Sequence, residues 1–423
     1  MLRLRKILLC NYLYLVLLIL IIILTILRIN LKPKLFYDNK YYEVIGTIEN
    51  INIDGNKLIL DIKSREELIG TYYFKNIKEK NKFNLLLGDK VKIKGEIISP
   101  NIPTNDNVFN YNKYLRNKSI YHLIKIDSIN KLSSNDKFYY KVKNKIIDRM
   151  NNNAYLYTFI IGDKSLINDE VKSSYQVNGI SHLFAISGMH ISLLSSIILV
   201  ILSKLKVREN YKYLIVTIFL VLYLFLTGFS PSIIRGVLFF IVFSYNKLYY
   251  FYISPINLFI LVLCITLCIN PFYIYEVSFL YSFLISLALL LSINYLSTGN
   301  YLIRLLKVSS ISFLVSIPIS LYNFYEINIL GIIYNLFFVP LVSLIIFPLS
   351  LITFLCPYFE PIFNFMISIL EKLSLLLSNI NIGRFVFIKL NFFIYIIYLL
   401  LVFIIIYFIN KSKYKFILII FFL

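Results

Sequence analysis

The residues best equipped for chemistry lie in GISHLFAISGMHISLL, residues 179–194, where His182, Ser187, Gly188 and His190 interrupt an apolar run. The chain has three histidines and two of them fall here. Burying such groups costs free energy unless they find partners, so the stretch reads as a metal site, a catalytic site or a break in the chain. The histidines are eight apart, ~80° around a continuous helix, and no Glu follows His182, which does not fit a metalloprotease helix. A serine hydrolase would need Ser187 within hydrogen-bond reach of an imidazole. Residues along one segment do not readily meet that condition unless the segment is unwound, and Ser187-Gly188 invites such a break.

Other polar groups sit inside apolar runs. Arg235 lies in LTGFSPSIIRGVLFF, four residues after Pro231. A central arginine costs about 2.5–3.5 kcal/mol on insertion scales, so an in-span cation marks a pathway or a site. Gly228 and Ser230 precede it in the same turn. Asn335 and Pro340 in GIIYNLFFVPLV would bend or break a span, which is tolerated where the break lines protein or water. Glu276 reads as a solvated span end. The four cysteines lie in apolar segments, where Cys264 and Cys268 read as packing. No GxxxxGK[ST] occurs in the sequence, so no ATP-binding P-loop is read. The histidines form no HxH or HxxxH pair, so no metal site and no cofactor is expected.

The elements that must position these groups follow from composition. Of 423 residues 59% are hydrophobic and 15% charged, against about 25% charged in soluble domains. The apolar residues fall in blocks near the ~20 residues that cross a bilayer. The expected fold class is a polytopic α-helical membrane protein of about 8–10 spans. Residues 1–30 read as an uncleaved anchor with Arg3, Arg5 and Lys6 in the cytoplasm. Residues 37–135 change character: short alternating runs around Asp54-Gly55 and in LLLGDKVKIKGEII predict a small β-barrel, OB-like or generic. Residues 136–178 read as a basic amphipathic connector whose first half suits a membrane surface, with a turn at Gly162-Asp163.

Spans are expected near 180–202, 213–229, 231–247, 255–270, 277–296, 308–325, 329–356 and 390–410, within a transmembrane domain of residues 179–410 and before a short tail, 411–423. Segment 361–382, with Glu371 and Lys372, is expected to cross or turn back. Basic loops after 202, around 300 and near 411 place those ends in the cytoplasm and the β-domain outside. The formal charge of +21 suits anionic partners, lipid or nucleic acid.

Taken together, FIIGDKSLI with GISHLFAISGMHISLL, LFLTGFSPSIIRG, INPFYIYEVSFLYSFLISLALLL, SIPISLYNFYEINILGIIYNLFFVPLV and NVFNYNKYLRNKSIYHLIKI resemble, in order over roughly residues 40–360, the ComEC competence family of DNA-import membrane proteins. The resemblance implies a passive channel for single-stranded DNA across the cytoplasmic membrane during natural transformation. It makes OB-like the preferred reading of the barrel. OB folds hold single strands by a basic groove and aromatic stacking, which nominates Lys90, Lys92 and Lys94 with Tyr72, Tyr73 and Phe74. His182, Ser187, Gly188, His190, Gly228, Ser230, Arg235, Asn335 and Pro340 become candidates for the DNA path.

Many family members add a metallo-β-lactamase-like domain after the membrane segments, and the histidines here do not supply its site. The chain is therefore expected not to be an enzyme. The implied partners are single-stranded DNA, membrane lipids, a DNA receptor, a separate nuclease and a cytosolic ATP-driven helicase. Where the family shows Gly and Gln in its Ser-rich span, this chain has Ser278 and Leu280. A small-solute or lipid transporter and an intramembrane serine hydrolase are the alternative functions.

Overall fold

The computed structural model describes residues 11–31, 35–103, 110–134, 137–380, 383–388 and 390–411, with residues 81 and 82 as backbone alone. Arg3, Arg5, Lys6, Cys10 and the expected tail from 412 onward lie outside the described residues. The chain divides into two units: Asn30–Asn152, and Met1–Ile29 with Asn153–Leu423.

Helix α1 (Asn11–Asn30) belongs to the second unit. It turns Tyr14, Ile21 and Thr25 inward along one stripe and leaves Leu15, Val16, Ile19, Ile23 and Leu27 exposed. An apolar outer face suits a helix surrounded by lipid. Asn257 donates to Asn11 Oδ1 at 2.8 Å and Arg28 to the Cys268 carbonyl at 2.7 Å, fastening both ends.

The first unit is a barrel of β1 (Tyr41–Asp54), β2 (Lys57–Lys63), β3 (Glu67–Tyr73), β4 (Lys90–Ile98) and β5 (His122–Ser133). The expected hairpin forms: Asp54 faces Lys57, and Gly55 takes φ +56°. Strand order is β1-β2-β3-β5-β4, closed by β4 against β1. The β3–β5 pair is parallel and the others antiparallel. This is the five-stranded Greek-key arrangement of an OB-like barrel. Alternation drives it: in β4, Val91, Ile93 and Ile97 enter the core and Lys90, Lys92, Lys94 and Glu96 face out. Val44, Ile48, Leu58, Leu60, Ile62, Leu68 and Ile124 complete the core; burying each stabilises the barrel by about 1.5–3 kcal/mol.

Three helices accompany the barrel: α2 (Ile77–Lys82), α3 (Tyr111–Asn117) between β4 and β5, and α4 (Phe138–Arg149). Two buried carboxylates tie loops to strands. Glu66 pairs with His122 at 2.8 Å and accepts the Tyr37 N–H, and Asp89 pairs with Lys131 at 2.6 Å.

The connector expected over 136–178 divides between the units. Helix α4 packs Tyr140 and Ile147 on the barrel core, and Asn144 donates to the Leu87 carbonyl at 3.0 Å. Helices α5 (Ala154–Ile160) and α6 (Asp169–Val177) belong to the helical unit, where Tyr155, Leu156, Thr158, Phe159 and Ile160 are buried.

That unit continues with α7 (Gly188–Lys204), α8 (Glu209–Thr227), α9 (Pro231–Leu248), α10 (Pro255–Ile269), α11 (Val277–Leu291), the one-turn α12 (Ile293–Leu296) and α13 (Tyr301–Asn323). A short strand β6 (Glu326–Asn328) leads to α14 (Gly331–Pro340), which runs through a π-helical turn into α15 (Phe347–Leu355). Then follow α16 (Glu360–Ser378), β7 (Arg384–Val386), which pairs with β6, and α17 (Phe392–Lys411).

Among the described residues, six helical segments are long and apolar enough to cross a membrane: Asn11–Asn30, Glu209–Thr227, Tyr301–Asn323, Gly331–Leu355, Pro357–Ser378 and Phe392–Lys411. Gly188–Lys204, Pro255–Ile269 and Val277–Leu291 are shorter apolar helices. The chain is a polytopic helical membrane protein with a small closed β-barrel. Segment 357–378 carries Glu371, and Tyr155 donates to that carboxylate at 2.6 Å.

Candidate functional site

The first span expected in the helical core does not begin at 180. Ser181–Phe184 is a 3₁₀ turn, Ala185 is extended, and Ser187 (φ −116°, ψ 172°) caps α7. His190 occupies the third helical position, where its Nδ1 accepts the Ser187 N–H at 3.1 Å. The imidazole thus serves as the third-position acceptor of a capping box, a place usually held by Glu or Gln. Ser187 Oγ lies 3.1 Å from the same nitrogen, so the unwinding brings hydroxyl and imidazole within reach.

A hydrolytic dyad is nevertheless poorly served. An N–H can only donate, so Nδ1 carries its lone pair toward the backbone and the ring proton sits on Nε2. Nε2 is buried with no partner among the described residues, whereas a base is normally oriented there by an acceptor. The ring, 1% exposed, stands edge to face with Phe347 at 4.6 Å and near Phe159 at 6.2 Å. This geometry caps a helix and fills a core.

Arg235 comes to the same junction. From the second turn of α9, its Nη1 donates to the Ser282 carbonyl and Ser286 Oγ on α11. Its Nη2 lies 2.8 Å from where a Cβ on Gly188 would stand. A Cβ on Gly236 would come 3.1 Å from the Gly188 Cα. Two glycines therefore let α7 and α9 cross closely and leave room for the guanidinium. Its Nε is buried and has no partner among the described residues, and Cζ lies 5.9 Å from the Phe239 ring centroid. One cation joins the start of α7 to α9 and α11.

The remaining candidates stand elsewhere. His182 is exposed, with Nδ1 3.1 Å from the Gly179 carbonyl. Gly228 ends α8 in the left-handed conformation, φ +78°, and Ser230 caps α9 ahead of Pro231. Tyr273 donates to the Phe229 carbonyl between them at 3.0 Å. Pro340 does not break its span: the following π turn, Leu341–Ile346, absorbs the missing backbone bond and the helix runs on to Leu355. Asn335 Oδ1 is buried without a partner among the described residues. Ser278 contacts Glu276, and Leu280 packs in the apolar core.

Sequence reasoning missed four contributors. Ser282 and Ser286, with Ser278, recur every fourth residue on α11, a polar stripe that one helix face must present. Phe347 gives no local signal. Lys164, in GDKS, donates to the Ser181 carbonyl at 3.1 Å, and burial pushes its ammonium below the usual lysine range.

The barrel candidates do not form one surface. Phe74 is 5% exposed in the barrel core, and the Tyr72 hydroxyl donates to Glu79. Of the aromatic trio Tyr73 alone is open, at 64%. Strand β5 separates β3, which carries Tyr72 and Tyr73, from β4 with its lysines. Lys92 and Lys94 share Glu43, at 2.5 and 3.8 Å. Alternation along β4 revealed which lysines face out, but not what stands across from them.

Comparison with known proteins gives two findings. The family model described as Competence protein matches residues 159–412. ComE operon protein 3 of Bacillus subtilis (strain 168) is 26% identical over 320 residues, which span 73% of this chain and 41% of that protein's length.

Proposed function

The chain belongs to the Competence protein family, and from that premise we propose that it is a passive conduit for a single strand of DNA across the cytoplasmic membrane. The observation that carries this reading is the extent of the family match, 159–412, over the helical unit. Within that unit Arg235 of α9 converges with Ser282, Ser286 and the glycine crossing of α7 and α9.

A strand is a row of phosphates, and its path through an apolar shell needs cationic or polar contacts. Arg235 supplies the charge. Gly188 begins α7 and Gly228 follows the end of α8; with Pro340, His182, Ser187, His190, Ser230 and Asn335 they are the neutral groups we assign to the path. We assign the N-terminus to the cytoplasm and the barrel to the outer side, where a receptor delivers DNA. No P-loop occurs within these 423 residues, so pulling is assigned to a cytosolic ATP-driven helicase. Degradation of the other strand is assigned to a separate nuclease.

The test is Arg235→Gln, followed by uptake of labelled DNA into the nuclease-protected cytoplasm at matched membrane levels of protein. Uptake should fall by at least about tenfold, the worth of one charge-assisted hydrogen bond. Ser286→Ala removes one of the clamp's acceptors and keeps the cation, so it should retain most uptake. Normal uptake by Arg235→Gln would refute the role, and equal reductions in both variants would reassign Arg235 to holding helices together.

A further inference from the structure

The connection between β4 and β5 carries NYNKYLRNK, residues 110–118, which interleaves two tyrosines with three cations and contains no carboxylate. Its helix α3 is fastened from beneath. Leu115 is 1% exposed, Asn112 donates to the Pro100 carbonyl at 2.8 Å, and Asn110 caps the helix by accepting the Lys113 N–H at 2.8 Å. These anchors leave Tyr111, Lys113, Tyr114, Arg116 and Lys118 facing outward. Tyr111 and Tyr114 are each 41% exposed, and their rings lie nearly parallel, 6.2 Å apart at 22°. Lys118 Nζ sits 4.7 Å from the Tyr114 centroid.

We propose that this tyrosine pair with Lys113, Arg116 and Lys118 is a single-strand-binding platform. Bases stack on the rings and the cations hold the adjacent phosphates. The proposal rests on the reading of the chain as a DNA conduit and names where the barrel grips the strand. Rings select single strands because duplex bases are already stacked, and stacking tolerates any sequence. The β4–β5 connection is one of the loops through which OB-like barrels contact oligonucleotides.

The experiment uses the full chain in nanodiscs of neutral lipid and a short fluorescent oligodeoxythymidine, read by anisotropy across a salt series. Tyr111→Ala with Tyr114→Ala should weaken binding at least about tenfold, since each stacked base contributes that order. Tyr111→Phe with Tyr114→Phe should retain it. Arg116→Gln with Lys118→Gln should flatten the salt slope by about 1.4, about 0.7 for each phosphate no longer neutralised. Unchanged binding by the double alanine variant, or duplex bound as tightly as single strand, overturns the platform. So does loss of binding to phosphatidylglycerol vesicles with oligonucleotide binding intact, which would make this a lipid-facing surface. Uptake in cells separates the two readings: if Arg235→Gln blocks it and the double alanine variant leaves binding and uptake intact, the conduit stands and the platform falls.

Discussion

Glu371 is a carboxylate within a segment long and apolar enough to cross the membrane, where an acidic group costs about 2.5–3.5 kcal/mol on insertion scales. Tyr155 donates to it at 2.6 Å, and the Tyr175 hydroxyl lies 2.6 Å from that of Tyr155. Tyr155→Phe removes a hydrogen bond to a charged group, about 1.5–3 kcal/mol, and a neutral one to Tyr175, about 1 kcal/mol. Tyr175 cannot easily swing across as a substitute, because its ring is stacked on Phe184 at 3.9 Å and 9°.

Tyr155→Phe should therefore destabilise the helical unit by about 3 kcal/mol. Glu371→Gln keeps an accepting oxygen and sheds the charge, so its change should lie near zero or be stabilising. In the Glu371→Gln background the hydroxyl still makes a neutral bond worth about 1 kcal/mol, so the coupling energy should be about 0.5–2 kcal/mol. Unfolding in mixed micelles with rising dodecyl sulfate measures all four proteins. Circular dichroism is the probe, since the chain has no tryptophan. The reasoning fails if Tyr155→Phe costs under about 0.5 kcal/mol, or if Glu371→Gln is as harmful as Tyr155→Phe.

Two further predictions concern the barrel. A Cβ on Gly95 would collide with the Lys125 carbonyl oxygen, beside a register shift between β4 and β5, and backbone cannot yield as a side chain does. Gly95→Ala should therefore loosen the barrel by about 1–3 kcal/mol or more, seen as faster limited proteolysis within residues 41–133; protection equal to the parent protein contradicts this. The Tyr72 hydroxyl and the Lys75 N–H hold the Glu79 carboxyl below its ordinary range. A depressed folded value means that this contribution is present above the ordinary carboxylate pKa and is lost as pH falls through the lowered one. Tyr72→Phe should move the Glu79 titration upward in carboxyl NMR of the full chain, and an unmoved titration refutes the assignment.

The expected site shows where sequence reading works and where it stops. Gly228 before a Pro-initiated helix, the Asp54-Gly55 hairpin and the alternation in β4 are local: each depends on backbone preferences or on which face a side chain takes. The break at Ser187-Gly188 was legible for the same reason. Its consequence was not, because Ser187 and His190 meet once the chain has left the helix ahead of residue 188. Pro340 read as a possible break, yet the π turn that lets the span continue is a backbone adjustment no residue type announces.

The amino-acid sequence alone determined the membrane class, the β-module, the family resemblance and the short roster of polar groups in apolar surroundings. These follow from local free-energy costs: a twenty-residue apolar block, a period-two alternation or an isolated in-span charge has the same meaning wherever it sits. Tertiary structure decided partnership. It sent Phe74 into the core, set β5 between the lysines of β4 and the aromatics of β3, gave Glu371 to Tyr155, and brought Arg235 to Ser282, Ser286 and Gly188. Such pairings depend on how strands order and helices cross. That is settled by packing among residues tens to hundreds of positions apart, and it leaves no mark in any one stretch of chain.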